Sequence, residues 1–226
     1  MMAEQLDTDL QVDLFWSFRS PWSYLATPRL RALQQECNVQ VNFRPVYPIA
    51  IRTPDFFLSV NPMWPGYLMT DVHRCAEFLG IPFKWPSPDP VSQYRDDQGR
   101  PRTAPAQPHI HRLTRLGVAA AEAGRGIEFA DEVAALIWGG TANWHEGELL
   151  AEATHRAGLD LQQLDAVAAS ATERLEAVIL ANQEAHTAVG HWGVPTCAFK
   201  GEPFFGQDRL DVLRWRLQQH GLQARA

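Results

Sequence analysis

The sequence predicts an α/β fold in which a small mixed β-sheet is interrupted by a large all-helical insertion. Three observations carry this reading. Residues 10–46 run strand, helix, strand. Residues 109–187 are rich in Ala, Leu, Glu and Arg with a 3.6-residue period. After residue 190 two short strands and a helix close the chain. The first and last pieces together supply four strands, so the helical block reads as an insertion between them. The chain divides accordingly into 10–66, 67–187 and 188–226.

Taken in order, LQVDLFWSF places Val12, Leu14, Trp16 and Phe18 on one face, the period-two alternation of a strand. It runs into Ser20-Pro21, a helix N-cap followed by proline at the first helical position. WSYLATPRLRALQQEC has helical spacing at Tyr24, Leu25, Leu30 and Leu33, and Pro28 is expected to kink that helix or split it. VQVNFRPV (39–46) alternates again, so the opening β-α-β implies a parallel pair joined by a right-handed crossover. Residues 47–66 are rich in proline and aromatics without a period and read as a loop lining a surface or cleft; 67–80 read as a helix and 81–108 as a proline-broken connection. Breaks at Gly124-Arg-Gly126, Gly139-Gly140 and Gly158 give about four consecutive helices, the last a long one near 160–186. VPTCAFKG and EPFFG read as a hairpin, followed by the helix QDRLDVLRWRLQQHG with Gly221 as its stop.

Composition narrows the function classes. A chain of 226 residues that is 46% hydrophobic and 20% charged suits one globular unit, or a core domain with an insertion. Its 20 basic and 26 acidic residues are interspersed, which argues against nucleic acid or an anionic membrane as partner. The apolar runs are too short to cross a bilayer, and the N-terminal MMAEQLDTDLQ reads as a polar lead-in, neither signal nor transit peptide. Cys37, Cys75 and Cys197 are odd in number and lack a Cys-x-x-Cys pair, so they read as reduced cysteines of a cytoplasmic protein.

Three stretches carry chemistry. Ser20 stands at a helix N-terminus, where unpaired N–H groups and the helix dipole favour an anion; it reads as a plain N-cap or as a hydrogen-bond donor to an anion brought by a ligand. No G-x-S-x-G elbow surrounds it, which argues against an acyl-transfer nucleophile. Its frame is that of a Cys-x-x-Cys redox site with serines at 20 and 23, and neither can form a mixed disulfide. GVPT opens a strand with Val194-Pro195, where proline suits the first residue of a strand. FFGQDRL turns at Gly206 and sets Gln207 and Asp208 at the start of the last helix; Asp208 has a cap role open to it, with Asp211 adding first-turn charge. The same pair could hold an amino-acid-like end bearing carboxylate and ammonium. HIH (109–111) lacks an acidic partner or third ligand, so no metal is expected; packing is the default for His145 and His191, and Cys197 reads as a buried strand residue.

Together these stretches, from VDLFWSFRSPWSYLATPRL to GVPTCAFKGEPFFGQDRLDVL, resemble the glutathione-dependent branch of the DsbA-like thioredoxin superfamily. That branch contains 2-hydroxychromene-2-carboxylate isomerases and kappa-class glutathione transferases. The resemblance implies a thioredoxin-like domain with a helical insertion, a homodimer, and glutathione as cofactor. It assigns Ser20 as the catalytic residue, hydrogen-bonding the glutathione sulfur, with Pro21 and Trp22 beside it in the binding site. Val194, before a cis Pro195, pairs the cysteinyl part through its backbone, and Gln207 and Asp208 contact the γ-glutamyl end. A free thiol has a pKa of about 8.5, and a helix N-terminus with a hydroxyl donor lowers it toward neutrality.

The implied activity is isomerisation of a small aromatic or electrophilic substrate by reversible thiolate addition. The alternatives are a transferase that releases the conjugate and a non-catalytic module binding glutathione or a peptide strand. One departure stands out: the family's lysine or asparagine after the second strand, which helps hold the glutathione carboxylates, has no lysine counterpart in PDFFLSVNPMWPGY. Asn61 and Arg52 are the candidates there, and an exposed, uninvolved Arg19 is expected. Phe56, Phe57, Met63, Trp64 and Tyr67, with Trp22, suggest an aromatic acceptor pocket or the packing of the insertion onto the core.

Overall fold

The structure, a computed structural model, describes residues 10–225; of the lead-in expected at MMAEQLDTDLQ, residues 1–9 lie outside the described residues and Leu10 and Gln11 belong to the first strand. Alternation decides the central strand β1 (Leu10–Trp16), whose Val12, Leu14 and Trp16 are buried in the main core. Phe15, on the opposite side, joins Val46 and Ala198 in a smaller cluster against Ala185, Val189 and Val194. Both faces of β1 are therefore covered. It pairs in parallel with β2 (Val39–Pro45), from Leu10 opposite Val39 to Trp16 opposite Pro45. On its other edge β1 runs antiparallel to β5 (Thr196–Phe199), which continues to β6 (Glu202–Phe205), giving the order β2-β1-β5-β6.

Helix α1 (Pro21–Glu36) carries Pro28 in its interior yet is not split. Tyr24 and Leu25 before the proline and Leu30 and Leu33 after it are all buried, and that continuous stripe outweighs one lost backbone hydrogen bond. The expected 47–66 loop contains two single-turn helices, α2 (Ile49–Arg52) and α3 (Phe56–Ser59), and α4 (Met63–Leu79) begins four residues earlier than the helix expected from 67. The 81–108 connection hides a small hairpin, β3 (Gln93–Arg95) with β4 (Pro101–Thr103), turned at Gly99 with φ +75.

The helical block has five members: α5 (Ile110–Glu122), α6 (Gly126–Trp138), α7 (Leu149–Arg156), α8 (Leu161–Ser170) and α9 (Thr172–Ala188). The single long helix expected near 160–186 is thus two, parted at Ala171 with no glycine or proline to announce it. A 3₁₀ turn over Gln207–Arg209 precedes α10 (Leu210–Gln218), and Gly221 follows it with φ +91. The insertion is bonded to the site end of the sheet: Trp138 Nε1 donates to Phe18 O at 3.1 Å and Tyr24 Oη to Pro82 O at 2.6 Å. Among the described residues no helix is long and apolar enough to cross a membrane.

Candidate active site

Ser20 ends the turn after β1 in an extended conformation, φ −111 and ψ 113, and caps α1 by accepting from Ser23 N at 3.1 Å. Pro21 occupies the first helical position, where its missing N–H costs nothing. The same Oγ donates to Val194 O at 3.1 Å, so one hydroxyl joins two segments 174 residues apart. Val194-Pro195 is cis. Ser20 is only 7% exposed, and Trp22 is half-buried against the core.

The loop before Pro195 is tightly specified. Thr196 Oγ1 donates to Gly193 O at 2.7 Å, and Gly206 N to Pro195 O at 2.9 Å. Gly193 has no room for a side chain, since a Cβ there would stand 2.4 Å from the Phe205 ring. Its N–H donates to His191 Nδ1 at 2.9 Å, which leaves the proton of a neutral imidazole on Nε2. The His191 ring stacks on Phe205 at 4.0 Å between centroids.

Gln207 and Asp208 follow on the 3₁₀ turn. Arg29 Nη1 donates to Gln207 O at 2.8 Å and to its Oε1 at 3.3 Å, while Gln207 Nε2 makes only a long 3.8 Å contact with Cys75 Sγ. Asp208 does not cap the last helix, contrary to the cap role open to it in the sequence. The turn lifts it off the α10 axis, Arg209 takes the cap position without a side-chain bond, and the Asp208 carboxylate accepts from Arg209 Nη1 at 2.6 Å. Asp211 supplies the expected first-turn charge and pairs with Arg29 at 3.2 Å.

Arg19 is clasped rather than free. Its Nε and Nη2 meet both oxygens of Asp89 at 2.8 and 2.9 Å, and its guanidinium lies 5.9 Å from the Phe57 ring centre. Asn61 is occupied locally, accepting from Met63 N at 2.9 Å ahead of α4. Arg52 differs from both. Its Nε donates to Tyr47 O at 2.6 Å and its Nη2 to Trp192 O at 3.0 Å, bridging the segment after β2 to the cis-proline loop. Burial lowers its hold on the proton, and among the described residues no carboxylate stands within ion-pair distance of it. Beside it Phe56, Phe57, Trp64 and Trp192 form a wall of ring contacts 5.0 to 6.2 Å apart. Met63 and Tyr67 are exposed, and neither Tyr67 nor Trp22 is among the wall's ring contacts.

His186 is a component that sequence reading missed. It is fully buried, stacks on Phe15 at 4.7 Å, and neither ring nitrogen has a hydrogen-bond partner. Burial, then Arg52, holds its pKa down to about 4. The available signal was the spacing Leu175, Ile179, Asn182, His186, a buried stripe of α9 in which two polar residues continue an apolar pattern. Cys197 is buried in β5 with its thiol pushed up to about 12, which leaves it unreactive. His109 and His145 rings lie 4.6 Å apart, remote in sequence from Ser20, and among the described residues no group of three or more His, Cys, Asp or Glu could hold a metal.

The geometry therefore offers a helix end and a hydroxyl for an anion, a cis-proline backbone for an extended ligand, an uncompensated guanidinium, and an apolar wall. A sequence model of the DSBA-like thioredoxin domain matches residues 11–218. The chain is 25% identical over 217 residues to a 2-hydroxychromene-2-carboxylate isomerase of Pseudomonas putida, covering 89% of this chain and 91% of that one. Among solved structures, one of a 2-hydroxychromene-2-carboxylate isomerase superposes with a TM-score of 0.65 at 22% identity, covering 93% of this chain and 95% of that one. A probable DsbA oxidoreductase from Streptomyces coelicolor gives 0.63 at 18% identity, covering 93% and 89%. These two structural likenesses bear on the fold alone.

Proposed function

The chain belongs to the DSBA-like thioredoxin domain family, and from that premise we propose that it is a glutathione-dependent isomerase of 2-hydroxychromene-2-carboxylate-like aromatic ring-cleavage products. The observation that carries this reading is the Ser20 hydroxyl, fixed between the α1 N-terminus and the carbonyl before Pro195. A disulfide enzyme needs a sulfur at that position; here the frame is kept and the sulfur must come from a ligand. Similarity to the Pseudomonas putida isomerase over 89% of the chain supports the reaction class.

Glutathione held here would supply a thiolate for reversible addition to a conjugated double bond, and the chain's own residues would bind it, orient it and stabilise its charge. Ser20 gives up its bond to Val194 O and donates to the sulfur instead, since one O–H cannot serve both. The α1 N-terminus, at Pro21 and Trp22, favours the thiolate over the thiol. Val194 pairs the cysteinyl backbone as an added strand does. Asp208 and Gln207 hold the γ-glutamyl end, the Asp208 carboxylate being exposed toward an ammonium group. Arg52 answers the family's missing lysine: its guanidinium, lacking a carboxylate of the protein, takes one from the ligand. The aromatic wall receives the electrophile. Free cysteines at 37, 75 and 197 fit a reducing compartment, and we read the protein as cytoplasmic.

The test is turnover of 2-hydroxychromene-2-carboxylate with and without glutathione. Turnover that requires glutathione without consuming it is the expected result. Consumption with release of a stable conjugate moves the assignment to a transferase. Tight glutathione binding by calorimetry with no turnover of any electrophile moves it to a binding module, and turnover independent of glutathione sinks the proposal.

A further inference from the structure

The turn His191-Trp192-Gly193 is where the parts of the candidate site meet. Gly193 N donates to His191 Nδ1 at 2.9 Å, a side chain accepting from the amide two residues on, as asparagine does in an Asx turn. Trp192 O receives Arg52 Nη2 at 3.0 Å, and Gly193 O receives Thr196 Oγ1 at 2.7 Å. The next residue is Val194, whose carbonyl meets Ser20. The His191 ring lies on Phe205, 4.0 Å between centroids and 22° from parallel. Phe205 leads through Gly206 into the 3₁₀ turn of Gln207 and Asp208.

Packing alone does not account for this histidine. A ring stacked on Phe205 needs no nitrogen, but the N–H of the buried Gly193 needs an acceptor, and an unmet buried donor is costly. Gly193 cannot gain a side chain to stiffen the loop, because the Phe205 ring fills the place of its Cβ. The bond also fixes the state of the imidazole, since Nδ1 must be bare to accept. Its surroundings agree. Arg52 of α2 meets the turn at Trp192 O, and His186 of α9 stands within electrostatic reach of the ring. The Asp208 carboxylate beyond Phe205 is taken by Arg209, Glu202 lies at the far end of β6 with Arg216, and α3 brings the uncharged Phe56 ring against Trp192. Burial also disfavours the His191 cation, with the Gly193 backbone working the other way.

We propose that His191 is the positioning residue of the ligand-binding loop: by accepting the Gly193 N–H it sets the Val194 backbone against Ser20 and the Trp192 carbonyl against Arg52. Through its stack on Phe205 the same ring keeps the turn of Gln207 and Asp208 in step with them. His191 acts through the backbone of 192–194, and only as the neutral imidazole. A proton on Nδ1 replaces the acceptor by a second donor facing the Gly193 N–H. The hold is therefore intact at and above about pH 6.5 and is lost as the pH falls through the ring's lowered pKa. The ligand that the loop serves rests on the glutathione reading proposed above; the dependence of the loop on His191 does not.

Two variants separate the nitrogen from the ring. His191→Asn keeps an acceptor near the place of Nδ1 and loses the stack, whereas His191→Phe keeps the stack and loses the acceptor. In the ligand-free chain, nitrogen-15 NMR is expected to find the His191 ring protonated on Nε2 alone at pH 7.5. The amide signals of Gly193, Val194 and Gln207 are expected to move as that ring titrates, to move likewise in His191→Phe, and to stay near their wild-type positions in His191→Asn. Calorimetry with S-methylglutathione, which has no thiol to titrate, then reads the site. Wild-type binding is expected to weaken on the order of three- to tenfold between pH 7.5 and 5, the worth of one hydrogen bond. His191→Asn is expected to lose that pH dependence, His191→Phe to bind weakly at every pH, and His186→Phe to behave as wild type. Weak binding by His191→Asn beside normal binding by His191→Phe overturns the proposal in favour of the stack. Amides that ignore the His191 titration, or a pH dependence that vanishes in His186→Phe, overturn it as well. The expected NMR changes in a chain that binds no S-methylglutathione support the positioning role and strike only the functional reading.

Discussion

Around Ser20 the protein commits its polar groups to one another, whereas the aromatic wall beside it commits almost nothing. Ser20 Oγ both accepts and donates within the protein, Gly193 is hemmed in by Phe205, and Arg19 is clasped by Asp89. Along 56–67, by contrast, α3 buries no residue and the first turn of α4 is exposed throughout. The difference teaches that one half of the site is fixed by the fold and the other is left to its side chains. The half proposed to handle the sulfur is set by backbone geometry, where small changes are costly. The half proposed to meet the electrophile is a surface of rings, where substitution is cheap.

The sharpest way to break that contrast is Ser20→Ala. Removing one donor that stabilises developing or resident charge costs about a hundred- to a thousandfold in rate. Losing the cap costs roughly 1 kcal/mol of stability besides. Both are expected together, measured as kcat/KM and by thermal unfolding. A rate within twofold of wild type in a folded Ser20→Ala chain would remove the hydroxyl from the chemistry and leave it a cap.

His186 tests whether the anchored half is also the acid-sensitive half. Its folded pKa of about 4 lies below the ordinary histidine value of about 6.5, so the unfolded chain binds the proton more readily. This group therefore leaves stability untouched above about pH 6.5 and reduces it as the pH falls toward 4. The loss reaches roughly 2–3 kcal/mol. Denaturant unfolding across that window reads it directly, and His186→Phe, which keeps the ring stacked on Phe15, is expected to flatten the slope. An unchanged slope in that variant would assign the acid loss to other groups.

Substitutions in the aromatic wall should separate affinity from stability. Trp64→Ala and Phe57→Ala are expected to shift stability by no more than about 0.5–1 kcal/mol, since Trp64 is exposed and Phe57 only partly buried against the core. In an isomerase assay their effect belongs mainly in KM for the electrophile, on the order of tenfold. If either variant instead lowers the melting temperature as far as Ser20→Ala does, the wall is structural packing and the contrast between the halves fails.

The same contrast governs what could be read from the sequence. β1, the Ser20-Pro21 cap and the β5–β6 hairpin announce themselves through short-range codes: alternation, an N-cap with a following proline, and a glycine turn. The convergence of Ser20 on Val194 O was legible only through the family resemblance, because it depends on a contact 174 residues long. The division between α8 and α9 at Ala171 left no trace, since alanine favours helix on both sides and only packing ends it there. The turns of α2 and α3 were hidden because four residues each are too few to show a helical period. Arg52 was legible as a charge but not as an uncompensated one, because that depends on which carboxylates fold nearby.

Ser23 supplies the smallest and most exacting comparison, because it shares the frame of Ser20 and not its use. It is fully buried in the first turn of α1, and its Oγ has no hydrogen-bond partner. A thiol at that place would lose little by being dry, since sulfur is a weak donor and acceptor. A hydroxyl loses its bonds to water and gains none. Ser23→Ala removes the stranded group at the cost of a very small cavity, so it is expected to be neutral or to stabilise by up to about 1 kcal/mol. The backbone N–H of residue 23 still donates to Ser20 Oγ, so turnover should be preserved. Denaturant unfolding of Ser23→Ala beside Ser20→Ala would then show two serines three residues apart with opposite signs. A clear loss of stability in Ser23→Ala would mean that its hydroxyl has a partner, most simply a buried water, and that the frame uses both of its serines.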